Sequence, residues 1–385
     1  MLTSIMAARL LGTVAFGEFG LVRSTIVMFG VLAGSGLALA TTKVVAEYRS
    51  TDPARAGRTI TLLSNAALMA SVLTATLCLL VAPWLATVAM RAPELTTALR
   101  LASMLLAVSG TAAVQNGVLI GLEAFRPFSA LMLVEGALTL IGVATGATLQ
   151  GLDGAILGSV VPAAVMLPLR QRSVRARCVT AGIPVAQGGG LTEVHVLWSA
   201  AVPAILIGVI GQPFEWLGRL LLARGPDGYA AVGVFTAAYA WAQVVSFAAG
   251  QISGPAIPVL ANIFAGRDHS GFRRVLRFMG LASLAVTILV VVPIIVLAEP
   301  IMRIYGHGFS GGGPVLIAIA AAYGVASLAW LFRSVLVATG RLWTQNLHAV
   351  IWGLVLTATF LVARPAGAVG LALAYVAAYG VLLVM

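Results

Sequence analysis

The residues of this sequence that could do chemistry are polar side chains inside long apolar runs. Glu135 lies about eight residues into the run that begins near Pro127, which places it roughly 12 Å deep in a membrane at 1.5 Å per residue. A carboxylate at that depth is costly unless it is neutral, paired with an arginine or exposed to water. Glu135 is therefore a candidate for taking up and releasing a proton, with an interhelical hydrogen bond as the structural alternative.

Arginines inside apolar runs could bind an anion. Arg333 lies five residues before the end of its run, and its planar guanidinium matches the geometry of phosphate oxygens. Gln115 and Asn116 lie at the equivalent place in the first half of the chain, so polar groups occur at matching depth in both halves. Arg23 lies close to the outer end of its run. For both arginines the alternative is a side chain that snorkels to the membrane surface.

Ion pairs, metals and cofactors can be judged from residue spacing. Glu215 and Arg219 are spaced i, i+4, which predicts an intrahelical ion pair. The two cysteines, Cys78 and Cys178, and the four histidines show no metal-ligand spacing. The single lysine, Lys43, follows a threonine, so the sequence contains no Gly-Lys-Ser/Thr phosphate loop. We expect no metal and no cofactor, with coupling to H⁺ or Na⁺ left open.

The composition is that of an integral membrane protein. Of the 385 residues, 60% are apolar and 9% are charged, and the mean hydropathy is +1.04, whereas a soluble domain carries about a quarter charged residues. The 23 basic and 12 acidic residues give a net charge of +11, which in a chain with many spans reports membrane orientation. We expect the lipid bilayer as a partner and no nucleic acid.

Apolar runs bounded by glycine, proline or charge predict eleven full spans. They cover residues 20–44, 60–89, 98–121, 127–149, 154–169, 195–217, 229–263, 275–298, 314–338, 345–362 and 366–385. Residues 1–11 are apolar but too short to span, which predicts a first helix whose beginning is missing, and the last run stops at Met385. Fourteen of the 23 basic residues fall in one set of alternate loops, so we expect that side to be cytoplasmic.

The two halves of the chain resemble each other at a nearly constant offset. Gly151-x-x-Gly154 matches Gly367-x-x-Gly370, and other landmarks recur at similar spacing. Each half holds an even number of predicted spans, so the repeat is parallel, with an axis along the membrane normal.

Together the spans and the repeat predict an all-α polytopic membrane protein of about twelve helices, with the first and last helices truncated. The helices form two six-helix lobes, residues 1–169 and 195–385, related by the parallel repeat. A basic cytoplasmic linker over residues 170–194 joins the lobes. Two such bundles enclose a central cleft, which is the architecture of transporters.

Several motifs together carry a family resemblance. They are Ala8-Arg9-Leu10-Leu11-Gly12, Gly17-Glu18-Phe19-Gly20 and Gly36-Leu37 in the first half, and Leu222-Ala223-Arg224-Gly225-Pro226-Asp227-Gly228-Tyr229 followed by Pro258-Val259-Leu260 in the second. With these motifs the chain resembles the polysaccharide-biosynthesis flippases of the multidrug/oligosaccharidyl-lipid/polysaccharide (MOP) exporter superfamily.

The resemblance implies a flippase that moves an anionic, undecaprenyl-pyrophosphate-linked oligosaccharide across a bacterial inner membrane by alternating access, for surface polysaccharide biosynthesis. Such a protein breaks no bond and is not an enzyme, and it works beside glycosyltransferases and a polysaccharide polymerase. Arg333, Asn116, Gln115 and Arg23 are then candidates for the substrate cleft, and Glu135 for coupling. One alternative is a cation-coupled multidrug antiporter of the same superfamily. The other belongs to a different functional class, the membrane enzymes, and is a glycosyltransferase or ligase.

Overall fold

The computed structural model describes residues 1–184, 202–265, 269–338 and 342–385, and within these ranges all regular structure is helical. The helices are α1 Leu2–Gly30, α2 Gly36–Tyr48, α3 Pro53–Trp84, α4 Leu95–Gly121, α5 Phe125–Thr180, α6 Val202–Ala223, α7 Gly228–Ala265, α8 His269–Val296, α9 Ala298–Ile304, α10 Gly313–Ala338, α11 Leu342–Ala363 and α12 Gly367–Val384. Among the described residues, 8 helical segments are long and apolar enough to cross a membrane. The predicted all-α polytopic membrane fold is therefore confirmed.

The first helix is broken near its beginning. Gly12 has φ 76 and ψ 177, which separates residues 2–11 from a second helical stretch that begins at residue 13. This stretch continues through a π-helical turn, Val31–Ser35, directly into α2. The span predicted to start at residue 20 therefore starts earlier, at residue 13.

Helix α5 consists of two antiparallel arms that meet at Gly151. This glycine has φ 58 and ψ −129, a conformation that residues with a Cβ rarely adopt. A Cβ on Gly142 would collide with the carbonyl oxygen of Gly158, and one on Gly146 would collide with that of Gly154. The arms can approach this closely only because small residues face each other.

The predicted cytoplasmic linker begins inside helix α5. Helix α5 runs on to Thr180, so the residues from Arg170 onward are helical rather than a loop. Arg170 is 2% exposed, and Val174 and Cys178 pack into an apolar core. The remainder of the linker and the start of the second lobe, 185–201, lie outside the described residues.

The predicted internal repeat is visible in the backbone. Gly367, at the turn between α11 and α12, has φ 57 and ψ −130, nearly the same values as Gly151, which lies 216 positions earlier. Three residues later, a Cβ on Gly370 would collide with the carbonyl oxygen of Ala363, in parallel with the close approach at Gly154. Both halves therefore use the same glycine-based turn between their last two arms.

Residue contacts divide the chain into two compact units. The N-terminal unit is Leu21–Gln212, and the C-terminal unit combines Met1–Gly20 with Pro213–Met385. The boundary at residue 20 falls inside α1, so this helix contributes to both units. The predicted division into lobes of residues 1–169 and 195–385 stays a prediction.

The N-terminal unit is built on α2, α3 and α4, which pack through small and aliphatic side chains. Helix α3 begins at Pro53 because the Asp52 side chain accepts a hydrogen bond from the Arg55 backbone N–H at 2.9 Å. One apolar cluster contains Leu37, Ala40, Leu63, Ala67 and Val114, and a second contains Val45, Ala56, Ile60, Val118, Leu119, Ala124, Val174, Cys178 and Ile183. This packing fixes the polar side chains of α4 and α5.

Candidate substrate and coupling sites

Arg333 in α10 pairs with an amide rather than a carboxylate. Its side chain is exposed, and the buried carboxamide of Gln345 in α11 faces its guanidinium. With the amide turned so that its oxygen points to the arginine, that oxygen accepts hydrogen bonds from Nη2, at 2.6 Å, and from Nε. Among the described residues no carboxylate neutralises Arg333. A guanidinium that is held in place by an amide and has no carboxylate partner among the described residues is suited to binding an anion.

The remaining substrate candidates lie in the N-terminal unit. The Arg23 side chain on α1 is exposed. Gln115 on α4 is 4% exposed, and its Nε2 donates to Oε1 of Gln171 on α5 at 2.9 Å. The Oδ1 atom of the half-buried Asn116 has no hydrogen-bond partner among the described residues. Gln115 therefore ties α4 to α5, which is a structural role that its spacing did not reveal.

Glu135 is paired with an arginine, one of the three states expected for it. Its Oε2 accepts a hydrogen bond from Nη2 of Arg170, on the opposite arm of α5. The Arg170 side chain is 2% exposed and that of Glu135 is 24% exposed. The pair joins the two arms of the hairpin, and the role of Glu135 in coupling stays a prediction.

The predicted ion pair in α6 is present and forms part of a larger polar network. Arg219 Nη2 lies 3.3 Å from Glu215 Oε2. The same carboxylate oxygen accepts from the Tyr239 hydroxyl at 2.9 Å, and the hydroxyls of Tyr323 and Tyr239 are 3.1 Å apart. The Arg219 guanidinium also lies over the Tyr239 ring, 4.5 Å from its centroid, a cation–π contact. The carboxylate is therefore held by a cation and a hydroxyl from within its own unit.

An aromatic cluster surrounds this network in the C-terminal unit. Its members are Phe235, Tyr239, Tyr323, Trp330, Trp352, Tyr375 and Tyr379, and neighbouring ring centroids lie 5.4–6.5 Å apart. Sequence reasoning did not single out Tyr375 or Tyr379. These two tyrosines are spaced i, i+4 in the last apolar run, and this spacing could have indicated that their rings lie on the same face of a helix.

The connection between α8 and α10 is held by a carboxylate outside the spans. Glu299 Oε1 accepts from the Gly311 backbone N–H at 3.0 Å, and its Oε2 accepts from that of Gly313 at 3.2 Å. The hydrogen bond from Gly311 is the main cause that lowers the pKa of Glu299 below its ordinary value of 4.5, and the bond from Gly313 and the charge of Arg303 act in the same direction. The loop is thus ordered around an ionised side chain.

The fold is shared with solved transporters. The structure superposes on the inward-facing conformation of a multidrug resistance MATE family transporter of the MOP superfamily, with a TM-score of 0.84, 13% identity, and coverage of 100% of this chain and 91% of that chain. It also superposes on the lipid II flippase MurJ in an inward closed conformation, with a TM-score of 0.73, 16% identity, and coverage of 99% and 82%. At these identities the likeness establishes the fold alone.

Sequence relatives point to polysaccharide export. The EPS I polysaccharide export inner membrane protein EpsE of Ralstonia nicotianae (strain ATCC BAA-1114 / GMI1000) is 25% identical over 196 residues, which are 49% of this chain and 44% of that protein. The match thus spans less than half of the relative's length. The relatives are export and transport proteins, and the predicted location in the membrane is confirmed by the apolar helices described above.

A family-level match covers the larger part of the chain. The sequence model of the polysaccharide biosynthesis protein family matches residues 1–264. This range includes the motifs around Gly12, Gly36 and Gly228 on which the resemblance rested. The chain belongs to the polysaccharide biosynthesis protein family and has the fold of the MOP superfamily.

Proposed function

We propose that the protein is a flippase that moves an anionic lipid-linked oligosaccharide across the inner membrane by alternating access, for surface polysaccharide biosynthesis. Family membership and the export function of the relatives support this proposal. The observation that carries it is Arg333, whose exposed guanidinium is held by Gln345 and has no carboxylate partner among the described residues.

The chemistry is recognition of a phosphate group. An arginine fork donates two parallel hydrogen bonds to phosphate oxygens, and Gln345 would restrain the side chain so that less conformational entropy is lost on binding. The undecaprenyl tail stays in the bilayer, no bond is broken and no cofactor is required. Glycosyltransferases that build the oligosaccharide and a polymerase that extends it are the proposed partners.

A cation-coupled multidrug antiporter is the second candidate, favoured by the likeness to a multidrug transporter. An apolar cation would need an uncompensated carboxylate at membrane depth. Glu135 is paired with Arg170, and Glu215 with Arg219. These pairs favour the anionic substrate. Coupling to H⁺ or Na⁺ stays a proposal.

Replacement of Arg333 tests the proposal in a strain that lacks the gene. We expect the deletion strain to accumulate lipid-linked oligosaccharide and to lose surface polysaccharide. Charge-assisted hydrogen bonds are worth roughly 1.5–3 kcal/mol, so Arg333→Ala should reduce the export rate about 10- to 100-fold. Arg333→Lys keeps the charge without the fork and should fall in between.

Variants of two other residues complete the experiment: Arg303, an exposed arginine that serves as a control, and Gln345, which holds the Arg333 side chain. Arg303→Ala removes an arginine whose side chain is 70% exposed and should export as well as wild type. Gln345→Ala should weaken export less than Arg333→Ala does, since the charge remains. Normal export by Arg333→Ala at wild-type expression would show that the guanidinium only anchors the helix at the membrane surface.

A further inference from the structure

Helix α8 has one continuous exposed face that begins with arginines and goes on with apolar side chains. Its residues recur every three or four positions, as expected for a single face of an α-helix. We call it the exposed face of α8, and it contains Arg273, Arg274, Arg277, Phe278, Leu281, Leu284, Ile288, Leu289, Val292 and Val296. Charged and apolar side chains therefore occupy separate parts of the same face.

The opposite face of α8 is buried inside the C-terminal unit. Ser283, Thr287, Val291 and Ile294 are buried, and the Thr287 hydroxyl lies 2.8 Å from that of Ser327 on α10. Helix α8 packs against both α7 and α10. The exposed face points away from these contacts, so in a bilayer its apolar part contacts lipid.

The length of the apolar part places the arginines at the level of the lipid headgroups. From Phe278 to Val296 the exposed face is about 27 Å long at 1.5 Å per residue, close to the roughly 30 Å of a hydrocarbon core. Arg273, Arg274 and Arg277 lie just beyond one end of it. The basic residues at this end belong to the set that the positive-inside rule assigns to the cytoplasm. Their guanidinium groups therefore lie beside the phosphates of the cytoplasmic leaflet.

The three arginines are clustered and have no acidic partner. At 100° per residue they fall within an arc of about 100°. In the part of the chain that the structure describes, no carboxylate forms an ion pair with any of them. Helix α8 and the two helices packed against it, α7 and α10, contain no Asp or Glu. The positive charge of this cluster is complementary to an anion from outside the protein.

We propose that Arg273, Arg274 and Arg277 bind the headgroup of an anionic phospholipid in the cytoplasmic leaflet, with its acyl chains along the apolar part of the exposed face. Arginine donates paired hydrogen bonds to phosphate oxygens, and basic clusters at cytoplasmic helix ends attract acidic lipids. A free phosphate would gain nothing from Phe278 and Leu281, whereas a lipid contacts both parts of the face. The proposal does not depend on the transported substrate.

Lipid binding to the purified full chain tests the site directly. Native mass spectrometry in detergent would count bound lipids during titration with phosphatidylglycerol or phosphatidylcholine of the same acyl chains. Each arginine near a membrane surface contributes about fivefold in affinity for acidic lipid. Combined Arg273→Gln, Arg274→Gln and Arg277→Gln should therefore lower phosphatidylglycerol affinity about 100-fold and leave phosphatidylcholine binding unchanged.

Two outcomes of this titration would contradict the proposal. Equal phosphatidylglycerol affinity of the wild type and the triple variant would show that the arginines do not bind the headgroup. Displacement of the lipid by an equal concentration of inorganic phosphate would show a site for a free anion instead.

A second set of arginines is the matched control for charge alone. Arg172, Arg175 and Arg177 are also exposed and lie near the end of α5, but they spread over about 200° of its circumference at 100° per residue. Replacing all three by glutamine removes the same charge and should change phosphatidylglycerol affinity less than threefold. Equal losses in the two triple variants would show that total charge attracts the lipid, which would overturn the site.

A single substitution tests the site while all arginines that orient the chain remain. Phe278→Glu places a carboxylate one helical turn after Arg274, where the two can pair, and should lower phosphatidylglycerol affinity about tenfold. Val179→Glu is the matched control, because Val179 is similarly exposed and lies one turn after Arg175 on α5. It should have little effect, and wild-type affinity in Phe278→Glu would refute the proposal.

Discussion

Removal of the Glu135 charge should destabilise the protein because it leaves a buried cation without its partner. Arg170 is 2% exposed and already has Nε and Nη1 without hydrogen-bond partners among the described residues. Breaking a buried ion pair from one side costs about 3–5 kcal/mol. Since the Glu135 side chain is 24% exposed, we expect Glu135→Gln to lie near the lower end, at about 3 kcal/mol.

The assay is a double-mutant cycle with a matched exposed pair. Free energies of unfolding in mixed detergent would be compared for Glu135→Gln, Arg170→Gln and the double variant, which should recover most of the loss because no charge is left unpaired. The control is Glu123→Gln, whose partner Arg49 is 31% exposed while Glu123 is 63% exposed, so the cost should stay below about 1 kcal/mol. A cost for Glu135→Gln no larger than that of the control would refute the reasoning.

The cycle also bears on coupling. If Glu135 only closes the hairpin, the double variant should transport normally between pH 6 and pH 8. If Glu135 carries a coupling proton, the double variant should be stable but should lose the dependence of transport on pH. Transport measured in vesicles at both pH values separates the two roles.

Three further variants test the polar network around Glu215 and the connection between α8 and α10. Tyr239→Phe removes the hydroxyl that donates to Glu215 and should cost about 1 kcal/mol of unfolding free energy, whereas Tyr375→Phe, which removes a buried hydroxyl without a hydrogen-bond partner among the described residues, should cost less. Glu299 has a lowered pKa, chiefly through the Gly311 N–H, so its contribution to stability is present above pH 4.5 and is lost as the pH falls through the folded-state value. Thermal midpoints measured from pH 7 to pH 3 should therefore decline more for wild type than for Glu299→Gln, and parallel curves would contradict this.

Hydropathy and glycine patterns predicted the fold because few kinds of protein structure can span a bilayer. Apolar runs set the spans, and the Gly151 and Gly367 motifs marked turns that the structure builds with nearly equal angles. The arginines clustered around Arg170 are typical of a solvated loop, yet these residues are helical. The i, i+4 series Arg170, Val174 and Cys178, all buried, was the helical signal that outweighed them.

The candidate sites were less predictable, since partners come from different helices. The pairing of Glu215 with Arg219 is local and followed from spacing. The pairing of Glu135 with Arg170 depends on how the two arms of α5 align, which apolar periodicity does not specify. Gln345 lies on α11 and Arg333 on α10, and only the packing of these two helices brings the amide to the guanidinium.

Transbilayer movement of a lipid-linked oligosaccharide by the purified full chain tests the central claim most directly. Proteoliposomes would contain a fluorescent undecaprenyl-pyrophosphate oligosaccharide in the inner leaflet, and its arrival outside would be read with an external glycosidase. We predict that wild-type vesicles expose the oligosaccharide at least tenfold faster than Arg333→Ala vesicles and than empty ones. Equal rates in wild-type and empty vesicles would contradict the account.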